Sequence, residues 1–161
     1  MQHEVRAQRR ALTDQGAVQI GRQSFSVNKD LEQLDVLEAY TLKADGRRID
    51  IQPEHIQVQS GVATGGTGLS WPGVEIRQIT YPDVKKGDSI VWRYRKTTHQ
   101  PALPGWASGT EFAYPWENIL KENIRIEAPK AMKLHVFAAH YAMVKTSEGA
   151  LDIWSAEGNH Q

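Results

Sequence analysis

Apolar and polar residues alternate in short runs along most of this chain, and Gly, Pro and Asp separate the runs. A period of two predicts half-buried β-strands, because successive side chains of a strand point to opposite faces of its sheet. The clearest example is the segment Ser89–Thr98. It places Ile90, Trp92 and Tyr94 on one face and basic residues on the other.

The same alternation, interrupted by turn residues, predicts strands along the rest of the chain. The predicted segments are Glu4–Leu12, Ala17–Val27, Val36–Lys43, Arg47–Ile51, His55–Gln59, Val74–Thr80, Thr110–Tyr114, Asn123–Ala128, Met132–Ala138, Tyr141–Thr146 and Ala150–Ser155. The turn signal Thr13–Gly16 predicts that the first two form a hairpin. About ten short strands at this spacing favour an antiparallel, two-sheet β-sandwich with little helix.

One stretch before residue 40 fits two structures. The spacing of Leu31, Leu34 and Leu37 allows a short helix, and an Asn or Asp precedes it as a possible cap. The residues that follow, however, run as a strand into the hairpin turn Ala44–Gly46. We therefore predict one helical turn at most, followed by a strand.

Composition narrows the function classes. A chain of 161 residues is long enough for a single domain, residues 1–161, with a core that needs no metal or disulfide. The 19 Lys and Arg residues balance 19 Asp and Glu residues, so no excess positive charge favours nucleic acid. The absence of cysteine excludes a cysteine nucleophile, and no apolar run is long enough to span a membrane.

Two segments and their order along the chain carry a family resemblance. They are Ala39–Gly46 and Ile79–Asp88, and the strand Ile90–Tyr94 and the later Glu127–Pro129 support them. With these motifs the chain resembles, over nearly its whole length, a bacterial domain of unknown function. That domain lies N-terminal to transglutaminase-like domains, which have the papain-like cysteine peptidase fold.

The resemblance implies a β-sandwich placed before a downstream domain that carries the Cys, His and Asp of the chemistry. We therefore expect this chain to be a non-catalytic accessory domain, and its partner to be the transglutaminase-like domain of the same protein. It would position or shield that domain, or help to recognise its substrate. We also expect a periplasmic or secreted protein, because the start methionine stands directly before a strand, as if an export signal had been removed.

Residues that often carry chemistry do not form a recognisable site in the sequence. The glycine-rich stretch Gly61–Gly68 lacks the Gly-Lys-Ser/Thr and the helix of a phosphate-binding loop, so we predict a surface loop. No Gly-x-Ser-x-Gly elbow marks a serine nucleophile. His135 is predicted on the solvent face of a strand, and Asp83 and Asp88 are predicted to serve a turn and a strand entry rather than calcium. We expect no catalytic residue, cofactor or metal in this chain.

Tryptophans are the most suggestive feature. Trp92 and Trp154 lie in predicted strands, where we expect them in the core. Trp71, Trp106 and Trp116 lie in Pro- and Gly-rich connections, and we predict that they form an interaction surface. They would pack on the downstream domain or close the open ends of the sandwich. The alternative function is an independent carbohydrate- or peptide-binding module that uses these tryptophans as a platform.

Overall fold

The computed structural model describes residues 2–60, 73–100, 119–139 and 141–160. The chain forms two compact units, Met1–Ser108 and Gly109–Gln161. In the described part of the first unit lie seven strands, one short α-helix and one 3-10 turn. They are β1 Gln2–Arg10, α1 Asp14–Ile20, β2 Arg22–Asn28, β3 Glu32–Leu42, β4 Arg48–Asp50, the 3-10 turn Pro53–His55, β5 Ile56–Ser60, β6 Val74–Thr80 and β7 Ser89–Thr98.

Two antiparallel sheets enclose the core of the first unit. One has the order β1-β7-β3-β4 and the other the order β2-β6-β5. Buried side chains from both sheets, and from the loop after β6, pack in one cluster. Its members are Phe25, Val27, Leu34, Ile79, Tyr81, Ile90 and Trp92. The alternating pattern predicts a pair of packed antiparallel sheets, and the first unit forms one, but with the seven strands of its own described part rather than with strands from the whole chain.

The prediction of a hairpin at the start of the chain is wrong. β1 pairs with β7, not with β2, and residues 14–20 form α1. Thr13 begins this helix, because its hydroxyl accepts a hydrogen bond from the Gly16 amide at 2.9 Å. Thr and Asp favour both turns and helix starts, so the same residues predicted a turn and formed a helix cap.

The ambiguous stretch before residue 40 is a strand. β3 runs from Glu32 to Leu42 without a helical turn, and a bulge between Val36 and Glu38 shifts its register on β7. Leu34 is 2% exposed, whereas Leu37, at the bulge, is 43% exposed. Burial of Leu34 against the opposite sheet therefore favours the strand over the weak helical spacing.

The described part of the second unit holds one antiparallel sheet with the order β8-β10-β9. Its elements are β8 Ile119–Pro129, a 3-10 turn at Lys130–Met132, β9 Val144–Glu148 and β10 Leu151–His160. Ala128, Ile153, Trp154 and Ala156 are its buried apolar residues. The strand expected at Met132–Ala138 is absent there, because the 3-10 turn and a left-handed Lys133, with φ of 50°, break the extended backbone.

The predicted all-β, antiparallel fold with little helix is confirmed, and the second unit adds a third sheet to the two of the first. Within the described ranges, no helix has the length and apolar character needed to cross a membrane.

Candidate functional site

The two segments that carry the family resemblance meet in the first unit. Lys43 follows the end of β3, and the loop between β6 and β7 brings Asp83 and Asp88 to it. The Lys43 ammonium donates to Asp88 Oδ2 at 2.6 Å, to Asp83 Oδ2 at 3.0 Å and to the Asp83 carbonyl at 2.5 Å. We call these three residues the Lys43 clamp.

Asp88 is the most heavily bonded member of the clamp. Besides Lys43, it accepts hydrogen bonds from the Ala44 amide at 2.9 Å and from the Lys85 amide at 2.8 Å. The Asp88 side chain is 4% exposed, and that of Lys43 is 8% exposed. Buried charges are tolerated when each donor and acceptor finds a partner, and these two do.

Backbone contacts around the clamp fix the same loop. Asp83 and Gly87 have φ values of 49° and 92°, which a β-strand does not use. The Ala11 amide donates to the Asp88 carbonyl, and the Gly87 amide donates to the Ala11 carbonyl. The Thr41 hydroxyl donates to the Pro82 carbonyl at 2.9 Å. The loop is therefore held from both β3 and the end of β1.

The charges of the clamp reinforce each other. Burial alone would raise the pKa of Asp88, but the hydrogen bonds from Lys43 and from the amides of Ala44 and Lys85 hold it below its usual value. The hydrogen bond to Asp88 raises the pKa of Lys43 against the opposite effect of burial. Lys43 hydrogen bonding also lowers the pKa of Asp83.

This arrangement is suited to holding the loop rather than to proton transfer. A lysine base needs a lowered pKa, and Lys43 has a raised one. Its three N–H groups already point at three acceptors. Asp83 and Asp88 thus lie at the turn and at the entry to β7, as the sequence predicts.

The other residues singled out in the sequence do not converge. Trp92 and Trp154 are buried, with 5% and 7% exposure, in the first and second unit respectively. Trp71, Trp106 and Trp116 lie outside the described residues, so their predicted interaction surface stays a prediction. His135 is exposed, as expected, but it does not lie in a strand. Among the described residues, no three His, Asp or Glu side chains are grouped as metal ligands.

One charged groove was missed by the sequence reasoning. It lies in the first unit, where the start of β6 faces the start of β3, and Glu75, Arg77 and Leu34 are among its lining residues. The alternation of β6 could have revealed this groove. Arg77 and Glu75 are two and four residues before the buried Ile79, so all three side chains share one face of the strand. A charged residue on the same strand face as the buried residues points into the sandwich.

Comparison with known proteins extends these observations. No curated protein matches the chain. The fold is similar to a crystal structure from Parabacteroides distasonis ATCC 8503 that is described as "a putative protease". The TM-score is 0.70 at 14% identity, over 98% of this chain and 32% of that one. The chain therefore spans about a third of the length of that protein, and at this identity the likeness shows the fold alone.

A family model gives the classification. It is the model of a domain of unknown function with a solved structure, DUF3857, and it matches residues 1–161. The match includes both segments that meet in the Lys43 clamp. The chain belongs to the DUF3857 family.

Proposed function

We propose that this chain is a non-catalytic accessory domain of a larger, transglutaminase-like bacterial protein. It positions or shields the downstream catalytic domain, or helps to recognise its substrate. One observation carries the proposal. The fold recurs, over 98% of this chain, within only 32% of a longer protein that is described as a putative protease.

The clamp supports the same function. The buried charges of Lys43 and Asp88 hold one loop of the sandwich in place, and no catalytic role is needed to explain them. Inter-domain surfaces within a chain are modest in size and more polar than obligate interfaces. The exposed ion pairs of the first unit are compatible with such a surface.

The test compares the parent protein with a version that lacks residues 1–161. We expect the deletion to change the KM or kcat for a peptide or amide substrate, while replacement of the catalytic cysteine of the downstream domain abolishes activity. The isolated chain should give only background rates with ester, peptide and glycoside substrates. Turnover by the isolated chain would overturn the proposal, as would a parent protein without a downstream Cys, His and Asp.

The same material tests the alternative of an independent binding module. Tryptophan fluorescence of the chain, titrated with cell-wall glycans and proline-rich peptides, should stay flat if the loop tryptophans pack on a neighbouring domain. A saturable change that disappears in a variant with Trp71, Trp106 and Trp116 replaced by Ala would favour the module instead.

A further inference from the structure

An open groove of about 260 Å³ lies in the first unit at one end of the sandwich. Its floor is apolar, because Val27 and Leu34 are only 3% and 2% exposed. Both positive and negative side chains surround this floor. They are Lys29, Glu32, Glu75 and Arg77, and His99 also lines the groove.

Arg77 and Glu75 point into the sandwich from β6. Arg77 is directly opposite Phe25 in the register, and Glu75 is directly opposite Val27. Directly opposed residues of an antiparallel pair lie on the same face of the sheet, and both partners are buried core residues. The two charges therefore occupy core-facing positions where the sandwich is open.

The bonding of these two charges is incomplete. Arg77 Nη1 donates to the Leu34 carbonyl at 2.6 Å, which ties β6 to β3 across the sandwich. Arg77 Nε is buried and has no hydrogen-bond partner among the described residues. The nearest Glu75 oxygen is 3.7 Å from it, which is beyond hydrogen-bond distance. A guanidinium has five N–H donors, so Arg77 retains binding capacity.

Both side chains remain accessible from the groove. Arg77 is 32% exposed and Glu75 is 17% exposed. Glu32, which accepts from the Asn28 amide and pairs with Lys96, is 22% exposed. In contrast with the saturated Lys43 clamp, the groove contains one buried donor without a partner, Arg77 Nε, and a buried group in that state calls for an explanation.

We propose that the groove binds a short peptide with free ends, about two residues long. Its carboxylate pairs with Arg77, since a guanidinium fork matches a carboxylate; Lys29 at the rim is already paired with Asp30 at 2.8 Å. The ammonium of the peptide pairs with Glu75 and Glu32. A ligand with both charges satisfies both sides of the groove, whereas a ligand with one charge leaves the opposite side unpaired. The volume lies just below the range for drug-sized ligands, which suits a dipeptide.

The proposal concerns a property of this chain alone and does not depend on a catalytic domain downstream. The experiment records amide ¹H–¹⁵N spectra of the chain during titration with L-alanyl-L-alanine. The comparison ligand is its N-acetylated, C-amidated form, which has the same backbone without end charges. We expect saturable shifts at residues 74–78 and 27–34 with the free dipeptide and none with the blocked one.

Variants then assign the charges. Arg77→Met should weaken binding about tenfold or more, and Glu75→Gln should do the same. Arg125→Met is the matched control, because Arg125 is an exposed arginine of the second unit that pairs with Glu127. Its affinity should equal that of the wild type.

Three results would overturn the proposal. They are the absence of shifts up to about 10 mM dipeptide, equal binding of the free and blocked dipeptides, and the same shifts with acetate alone. If Arg77→Met does not fold because the bond to Leu34 is lost, Glu75→Gln decides the question, since unchanged affinity in that variant contradicts the assignment.

Discussion

Lys43 and Arg77 show two ways of placing a positive charge inside one small sandwich. Lys43 donates to three acceptors and is 8% exposed. Arg77 makes one hydrogen bond among the described residues and keeps a buried Nε without a partner. A made bond in the interior contributes modestly to stability, whereas an unmade one carries the full cost of desolvation, so the bonds of Lys43 stabilise the fold and the unpartnered Nε of Arg77 opposes it.

Asp88→Asn tests the clamp. The substitution keeps the shape of the side chain but removes the negative charge that faces Lys43, so we expect the free energy of unfolding to fall by about 2 kcal/mol at neutral pH. The pKa of Asp88 is lowered in the folded chain, so its contribution is present above the unfolded pKa, near 3.8, and is lost as pH falls through the folded value.

The difference between wild type and Asp88→Asn should therefore shrink below about pH 4. Urea unfolding at a series of pH values measures it. Asp50→Asn, an exposed carboxylate paired with Arg48, is the control and should change stability little. A difference that stays constant down to pH 2 would contradict the assignment of the loss to the negative charge of Asp88.

A second prediction compares two buried hydroxyl groups. The Tyr81 hydroxyl has no hydrogen-bond partner among the described residues, and the residue is 4% exposed. Tyr81→Phe should leave stability unchanged or raise it by up to about 1 kcal/mol. Thr41→Val removes the hydroxyl that donates to Pro82 and should cost about 1 kcal/mol or more. Chemical denaturation of both variants checks the contrast, and a large loss in Tyr81→Phe would reveal a missing partner.

At the scale of elements, the loop between β6 and β7 depends on one backbone conformation. Gly87 has φ of +92°, and a Cβ placed there would meet Ala44 Cβ at an ordinary 3.5 Å. The cost of Gly87→Ala therefore comes from the backbone and not from crowding, and we expect about 1 kcal/mol of destabilisation.

Thermal unfolding measures that cost, with Lys86→Ala as the neighbouring control. Lys86 is exposed, so its replacement should change stability by less than about 0.5 kcal/mol. Equal effects in the two variants would mean that the conformation of Gly87 is not what holds the loop.

The sequence predicted single strands well and their partners poorly. β6 and β7 have the predicted bounds, because regular alternation between two groups of turn residues fixes where each strand begins and ends. The pairing of β1 was wrong, since a turn signal informs about adjacent residues only and β7 lies far along the chain. The strand predicted at Met132–Ala138 is absent, because alternation alone does not show whether a neighbouring strand is present to pair with the segment.

The site was less predictable than the strands. Both motifs of the clamp were recognised as segments, but Lys43 was not expected to be buried, because lysine is almost never found inside without a partner. The partners come from a loop some 40 residues away, and only the paired sheets bring them together. The orientation of Arg77 likewise depends on which face of β6 the opposite sheet covers.

At the scale of the molecule, the order of strands in each sheet predicts which backbone amides exchange most slowly with solvent. β7 lies between β1 and β3, β6 lies between β2 and β5, and β10 lies between β8 and β9. Amides of these central strands should exchange with solvent at least about tenfold more slowly than the outward amides of edge strands in the same unit. β9, whose residues are all exposed, should exchange fastest in the second unit.

Hydrogen exchange followed by mass spectrometry or NMR measures this order within each unit. Protection of β9 equal to that of β10 would contradict it. The order follows from hydrogen bonding on both sides of a strand, so it tests the sheet topology independently of any side chain.

The pairing of β1 with β7 also affects how the protein is made. Gln2 pairs with Thr97 and Arg10 with Ser89, so the first strand emerges from the ribosome long before the last residues of its partner. At ~5–20 residues per second, that delay is roughly 4 to 18 s. During this time residues 2–10 lack the strand they pair with, and we expect their three arginines to oppose pairing with another nascent chain.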